Sequence, residues 1–172
     1  EIRTYVATVE AAGNGWPRDP DGAPLYPPLD KQRTASDVER RLASGMPHAW
    51  RLDMDKAQAM LGAPLFWREH AEGNGKERRV VAEPAAWGDI ILSRSDAPSS
   101  YHLSVVVDDA LQAVTHVVRG LDLLHATSVH RLLQTLLELP APVYTHHRLI
   151  VDADGRKLSK SHGSTGLAEL KA

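Results

Sequence analysis

Lys157-Leu158-Ser159-Lys160-Ser161 sets two lysines three residues apart, with small hydroxyl residues between and after them. Such a stretch can present two ammonium groups and several N–H donors to one polyphosphate, and Gly163 and Gly166 would keep the loop mobile. Taken alone it also reads as a solvated, lysine-bearing turn. Arg119 is the second candidate. It stands at the carboxyl end of the apolar run Thr115–Arg119, beside Gly120, where an arginine of an α/β sheet faces the ligand crevice. Its fork of donors could clamp a carboxylate bidentately, and an ordinary strand-end salt bridge is the competing use. Tyr101, just ahead of the apolar run Leu103–Val107, could flank the same crevice.

Other combinations carry less. Gly73-Asn74-Gly75-Lys76 lacks the spacing and the following Ser/Thr of a phosphate loop. Asp152, Asp154 and Gly155 suggest a calcium loop, but its twelfth position is Gly163 rather than Glu. Asp108 and Asp109 are neighbours, so in a strand they point to opposite faces and read instead as helix caps. The nine histidines contain no His-Glu-x-x-His pattern; His125 and His130 are five apart, and His146-His147 diverge in extended chain. No metal site is expected from them.

These residues need a scaffold, and the composition supplies one. The chain has 172 residues, 20 Lys+Arg against 22 Asp+Glu, no Cys and 42% apolar residues. That length buries a real core, and the near-balanced charge gives no global basic field for non-specific nucleic-acid binding. Without cysteine there is neither a disulfide framework nor thiol catalysis. No apolar run is long enough to span a membrane. Glu1-Ile2-Arg3 reads like the inside of a helix, so a longer protein is expected around this segment.

Composition divides the chain near residue 95, with all four Trp and most Pro and Gly before it and seven of the nine His after it. In the first part, Ile2–Ala12 is predicted helical and a Pro/Gly-rich loop follows. Ser36 with Glu39 predicts a capped helix ending at Gly45, and His48–Met54, Arg79–Ala82 and Asp89–Ser93 predict short strands. In the second part, Leu103–Val107, Thr115–Arg119 and Tyr144–Val151 read as strands. Asp108 or Asp109 would cap one helix, and Ser128 another that carries Leu132, Leu133, Leu136, Leu137 and Leu139. Asp154-Gly155 is a turn signal, and Ser164 or Thr165 could start a last helix. Strands alternating with helices predict part of a parallel α/β sheet.

Three ordered blocks then give a resemblance. Tyr101-His102-Leu103-Ser104-Val105-Val106-Val107-Asp108-Asp109-Ala110, Thr115-His116-Val117-Val118-Arg119-Gly120-Leu121-Asp122-Leu123-Leu124 and Lys157-Leu158-Ser159-Lys160-Ser161 resemble the catalytic domain of the glutamyl-tRNA synthetases. The closer likeness is to their short paralogues, the glutamyl-Q tRNA(Asp) synthetases, through Tyr101-His102-Leu103 where the longer enzymes more often read Tyr-Asn-Phe. The first half is similar more loosely, through Pro20-Asp21-Gly22-Ala23-Pro24-Leu25-Tyr26-Pro27 and Trp87-Gly88-Asp89.

The resemblance implies an α/β fold, the second half of a class I synthetase Rossmann-like domain preceded by an α+β insertion. Residues 1–92 would be the acceptor-facing insertion, and residues 93–172 the catalytic half with the lysine loop. Tyr101 and Arg119 would hold glutamate. Lys157, Leu158, Ser159, Lys160 and Ser161 would form the ATP-binding loop, with Lys160 catalytic on the phosphates and Mg²⁺ accompanying ATP. The partners implied are glutamate and tRNA, in the cytoplasm, with the queuosine base of tRNA(Asp) as acceptor. An ordinary glutamyl-tRNA synthetase, a non-catalytic synthetase-like module and an unrelated nucleotide-binding α/β protein are the alternatives.

Two departures matter. The family's first signature, His-x-Gly-His, is absent from these residues, so residues 1–172 alone are expected to be inactive. Many members also carry a zinc knuckle of Cys-x-Cys, Tyr and Cys. Tyr26 fits the tyrosine, but Asp30 stands where the last Cys is expected, and zinc is not expected.

Overall fold

The computed structural model describes residues 2–70 and 76–151. In chain order the elements are α1 (Ile2–Ala11), α2 (Ala35–Ala43), β1 (Ala49–Arg51), α3 (Met54–Ala59), β2 (Phe66–His70), β3 (Glu77–Val81), β4 (Ile91–Arg94), α4 (Tyr101–Leu111), β5 (His116–Gly120), α5 (Ala126–Leu136) and β6 (Val143–His147). Single 3-10 turns at Pro84–Trp87 and Leu121–Leu123 lead into β4 and α5. The lysine loop 157–161, the Asp154-Gly155 turn, the last helix expected at Ser164 or Thr165 and the Gly73-Asn74-Gly75 turn lie outside the described residues.

Four strands form the main sheet in the order β3-β2-β6-β5. β5 and β6 are parallel, with α5 between them in sequence, and β2 joins β6 in the same sense. β3 folds back antiparallel on β2. The α/β class expected from the sequence is therefore present. β1 and β4 make a separate antiparallel pair with an irregularity at Trp50/Arg51. α5 supplies Val129, Leu132 and Leu133 to one core cluster, where they meet Met54, Trp87, Ile90 and Val106. Trp67, Ala82 and Tyr144 form a second cluster.

Several sequence expectations are corrected. Leu103–Val107 is helical, not a buried strand: it lies in the middle of α4, and Asp108 and Asp109 sit in that helix rather than capping it. Ser100 is the cap. Its extended backbone and Oγ, which accepts the Leu103 N–H at 3.3 Å, start the helix two residues before the apolar run. Each valine costs the helix only a few tenths of a kcal/mol, whereas helical spacing brings His102 and Val106 onto one face against α5. A strand would have sent Val105 and Val106 to opposite faces.

β2, a short mixed run without a strand pattern of its own, lies beside β6 in the sheet. The sheet therefore draws β2 and β3 from before residue 93 and β5 and β6 from after it.

The remaining differences concern helix starts. α2 is capped by Thr34, whose Oγ1 accepts the Asp37 N–H at 3.2 Å, not by Ser36. His48–Met54 is strand only at its centre, because the Asp53 side chain accepts the Lys56 N–H and starts α3 at Met54. α5 begins at Ala126, so Ser128 lies inside its first turn. Ser128 is buried there, and its Oγ accepts the Glu83 N–H at 3.1 Å. That bond ties the helix to the loop before β4.

Candidate active site

Arg119 and His146 are register partners on the neighbouring parallel strands β5 and β6, near their carboxyl ends. Their side chains therefore stand side by side on one face, the face toward which α5 turns Thr127 and His130. Arg119 Nε donates to His146 Nε2 at 3.1 Å, Nη1 donates to His130 Nδ1 at 3.1 Å, and Nη2 donates to Thr127 Oγ1 at 2.6 Å. Its guanidinium also lies 5.0 Å from the centre of the Tyr144 ring. Gly120 follows it, and a Cβ there would require the Asp122 and Leu149 side chains to shift.

A guanidinium only donates, so both histidine nitrogens facing Arg119 are acceptors. His146 then carries its proton on Nδ1, which donates to Glu69 at 2.9 Å. His130 carries its proton on Nε2, which donates to His102 Nδ1 at 3.1 Å. Burial pushes His130 down to about 2, with the Arg119 charge acting in the same direction. Burial also lowers His102 and His146, Glu69 opposing the effect at His146. All three rings stay neutral at physiological pH. Among the described residues Arg119 has no carboxylate within ion-pair distance; Asp109 only feels its charge from further off. The site therefore holds a partly buried cation whose neighbours are all neutral acceptors.

Tyr101 is the first residue of α4, about half exposed at 52%, with its ring 5.8 Å from that of His130. His130 thus links the two sequence-predicted residues, with Tyr101 against its ring and Arg119 on its Nδ1. The lysine loop, including Lys160, falls outside the described residues. Glu69, His102, Thr127, His130 and His146 complete the cluster, and none was singled out from sequence for this role. The concentration of histidine after residue 101 was the available signal. The strand register that pairs His146 with Arg119 could not be read from spacing.

Among the described residues no three His, Asp or Glu side chains converge on a metal position. The residues matching the zinc knuckle also have other commitments. The Tyr26 hydroxyl donates to Asp30 Oδ2 at 2.9 Å, Arg33 Nε donates to Asp30 Oδ1, and the Arg51 guanidinium lies 4.2 Å from the centre of the Tyr26 ring. Burial and the Asp30 carboxylate push the Tyr26 hydroxyl above its ordinary value. A protonated phenol beneath one guanidinium, bonded to a carboxylate that a second guanidinium already pairs, does not fit a zinc ion.

The chain is similar to known proteins over most of its length. Residues 30–170 match the family described as tRNA synthetases class I (E and Q), catalytic domain. A glutamyl-Q tRNA(Asp) synthetase of Rhodobacter capsulatus is 42% identical over 99% of this chain and 59% of its own length. One of Leptothrix cholodnii is 43% identical over 74% of this chain and 40% of its own. The chain thus spans about three-fifths or less of these relatives. A glutamate-tRNA synthetase structure from Elizabethkingia anophelis superposes with a TM-score of 0.66 at 24% identity, covering 95% of this chain and 31% of that one. A glutamate tRNA ligase from Elizabethkingia meningosepticum, in complex with its amino acid, gives 0.67 at 24% identity, over 95% and 30%. The parallel β5–α5–β6 unit and the match over residues 30–170 agree: the chain belongs to the class I tRNA synthetases (E and Q), as part of their catalytic domain.

Proposed function

We propose that the protein carrying this chain is a ligase that activates glutamate with ATP and transfers it to tRNA, with the queuosine base of tRNA(Asp) as acceptor. The observation that carries the reading is Arg119, a cation at the strand ends fixed by three neutral acceptors and lacking a carboxylate partner among the described residues. A carboxylate substrate supplies that partner. The names of the R. capsulatus and L. cholodnii relatives support queuosine as the acceptor.

A glutamate carboxylate oxygen attacks the α-phosphorus of ATP in line. The new bond is the acyl-phosphate of glutamyl-adenylate, and pyrophosphate leaves. A hydroxyl of the tRNA then attacks the acyl carbon, forming the ester and releasing AMP. The protein's part is to orient the reactants and to neutralise charge developing on the phosphates. Arg119 and Tyr101 hold and orient glutamate. Lys157, Leu158, Ser159, Lys160 and Ser161 form the loop on the triphosphate, and Mg²⁺ bound with ATP supplies further charge neutralisation. Residues 1–92 receive the tRNA, and the reaction belongs in the cytoplasm, where ATP and tRNA meet. Residues 1–172 alone are inactive in this reading, because the first signature completes the ATP site.

The test is transfer of labelled glutamate by the full-length protein to tRNA with and without queuosine. Queuosine-dependent transfer is expected. Equal labelling of both, lost after periodate oxidation of the 3′-terminal ribose, would make the protein an ordinary glutamyl-tRNA synthetase. In the same protein Lys160→Ala should slow glutamate-dependent ATP–pyrophosphate exchange roughly 10²-fold. Its melting temperature should stay close to that of the wild type, since the loop is polar.

A further inference from the structure

Glu69 lies in the middle of β2, only 3% exposed, and is a costly residue to bury without partners. It has them in full. Oε2 accepts the Trp67 indole N–H at 2.8 Å, and Oε1 accepts the His146 backbone N–H at 3.1 Å and the His146 Nδ1–H at 2.9 Å. Every one of these partners lies inside the fold. The effect of Glu69 reaches Arg119 through His146, which is also buried and meets Arg119 with its other nitrogen.

We propose that Glu69 and His146 are a positioning pair that aims Arg119 at the substrate carboxylate. This role rests on the reading of Arg119 as the glutamate-binding residue and follows from hydrogen-bond polarity. A carboxylate only accepts, so it draws the imidazole proton to Nδ1 and leaves a lone pair on Nε2. Arg119 Nε–H needs that lone pair. The opposite tautomer would set two N–H groups against each other at 3.1 Å and turn the guanidinium away. With Nε on His146, Nη1 on His130 and Nη2 on Thr127, three of the five N–H bonds are committed to the protein. The remaining two, one on each terminal nitrogen, form a donor pair suited to a carboxylate. A glutamine side chain, which offers one acceptor and two donors of its own, matches that pair poorly. Glu69 thus acts across the sheet: a strand contributed from before residue 93 fixes a binding residue contributed from after it.

Glu69→Gln keeps the shape but not the polarity. Whichever way the amide turns, a donor faces either Trp67 Nε1–H or the two His146 N–H groups. His146→Gln is the complementary variant, because its Oε1 can occupy the Nε2 position as an acceptor that does not protonate. In glutamate-dependent pyrophosphate exchange by the full-length protein, Glu69→Gln should raise the KM for glutamate roughly tenfold or more, because misplacing a binding group by a fraction of an ångström is enough to do so. The KM for ATP should stay within about twofold. His146→Gln should restore most of the glutamate affinity that His146→Ala loses.

Nitrogen-15 NMR of the histidines gives a readout that needs no substrate. His146 should carry its proton on Nδ1 in the wild type, and Glu69→Gln should shift both its ring signals and the Arg119 Nε–H signal. A wild-type His146 protonated on Nε2, or an Arg119 Nε–H signal unmoved by Glu69→Gln, would overturn the proposal. So would glutamate and ATP constants that rise together or not at all. If the wild type shows no glutamate-dependent exchange, the functional reading fails, and the NMR result still decides the positioning role.

Discussion

Lys31 and Arg119 are both cations held by several partners, and the partners differ in kind. Lys31 Nζ meets Asp53 at 3.0 Å, Asp89 at 2.9 Å and Asp55 at 3.5 Å. Burial pulls its pKa down, but Asp89 and Asp53 together hold it above the ordinary lysine value. Nearby, Arg33 pairs with Asp30 and Arg40 with Asp37. Around Arg119 the acceptors are two imidazoles and a hydroxyl. The first region sets Lys31, Arg33 and Arg40 against carboxylates, so these charges are spent on holding loops and helices together. The second fixes a cation with neutral groups, so the charge remains available to a ligand. Both arrangements satisfy hydrogen bonds, but only the second leaves an electrostatic demand unmet.

Breaking the second arrangement should have the largest effect. Arg119→Lys keeps the charge but loses the planar fork and the three fixed bonds. The expected outcome is a roughly 10²-fold or greater fall in kcat/KM for glutamate in the full-length protein, mostly in the glutamate KM. Steady-state kinetics with glutamate and ATP varied in turn would check it. Equal effects on the two substrates would return Arg119 to a structural role.

The neutrality of the histidines predicts a pH effect on folding. An unfolded histidine takes up a proton near 6.5, whereas His130 in the fold resists protonation down to about 2. Its contribution is fully present above about pH 6.5 and is lost progressively as the pH falls from there toward 2. At pH 5 His130 alone should cost about 2 kcal/mol of stability, and His102 and His146, also lowered, act in the same direction. Denaturant melts between pH 7 and 5 measure this. His130→Asn, with an oxygen in place of Nδ1, should flatten the slope; an unchanged slope would assign the acid loss elsewhere.

The first region should respond in stability only. Lys31→Met leaves Asp89, whose side chain is 9% exposed, with the Met54 N–H as its remaining bond. A cost of about 1–2 kcal/mol is expected, discounted because Lys31 itself stands near the surface. The KM for glutamate should not move. A shift there would mean that the two regions are coupled.

The contrast also explains what the sequence made legible. Arg119 at a strand end beside Gly120, Leu132 and Leu133 on the buried face of α5, and the strand–helix–strand order of β5, α5 and β6 follow from local spacing, and these are present; Leu137 and Leu139 fall past the end of the helix. What escaped depended on partners distant in sequence. β2 is a short mixed run, Phe66–His70, that becomes a strand because β3 and β6 flank it. Glu69 reads as a surface residue until the sheet buries it beside His146, 77 positions away. Leu103–Val107 misled because β-branched residues suggest a strand, whereas one hydroxyl at Ser100 and the face offered by α5 decide for helix.

The smallest effect tests the same point within the first region. Ser36 and Glu39 match the capping pattern, yet Thr34 makes the cap, accepting the Asp37 N–H at 3.2 Å and donating to Asp37 Oδ2 at 2.9 Å. Thr34→Ala should cost α2 about 1 kcal/mol, and Ser36→Ala should be neutral or slightly favourable, since alanine suits a helix interior. α2 buries no residue, so little tertiary packing couples its opening to the rest of the fold. The loss should therefore appear as roughly fivefold faster hydrogen exchange of the α2 amides rather than as a lower melting temperature. The glutamate KM should stay at the wild-type value. Faster exchange in Ser36→Ala instead would restore the cap that the residue pattern suggested, and a change in glutamate binding would show that the carboxylate-compensated region reaches the site around Arg119.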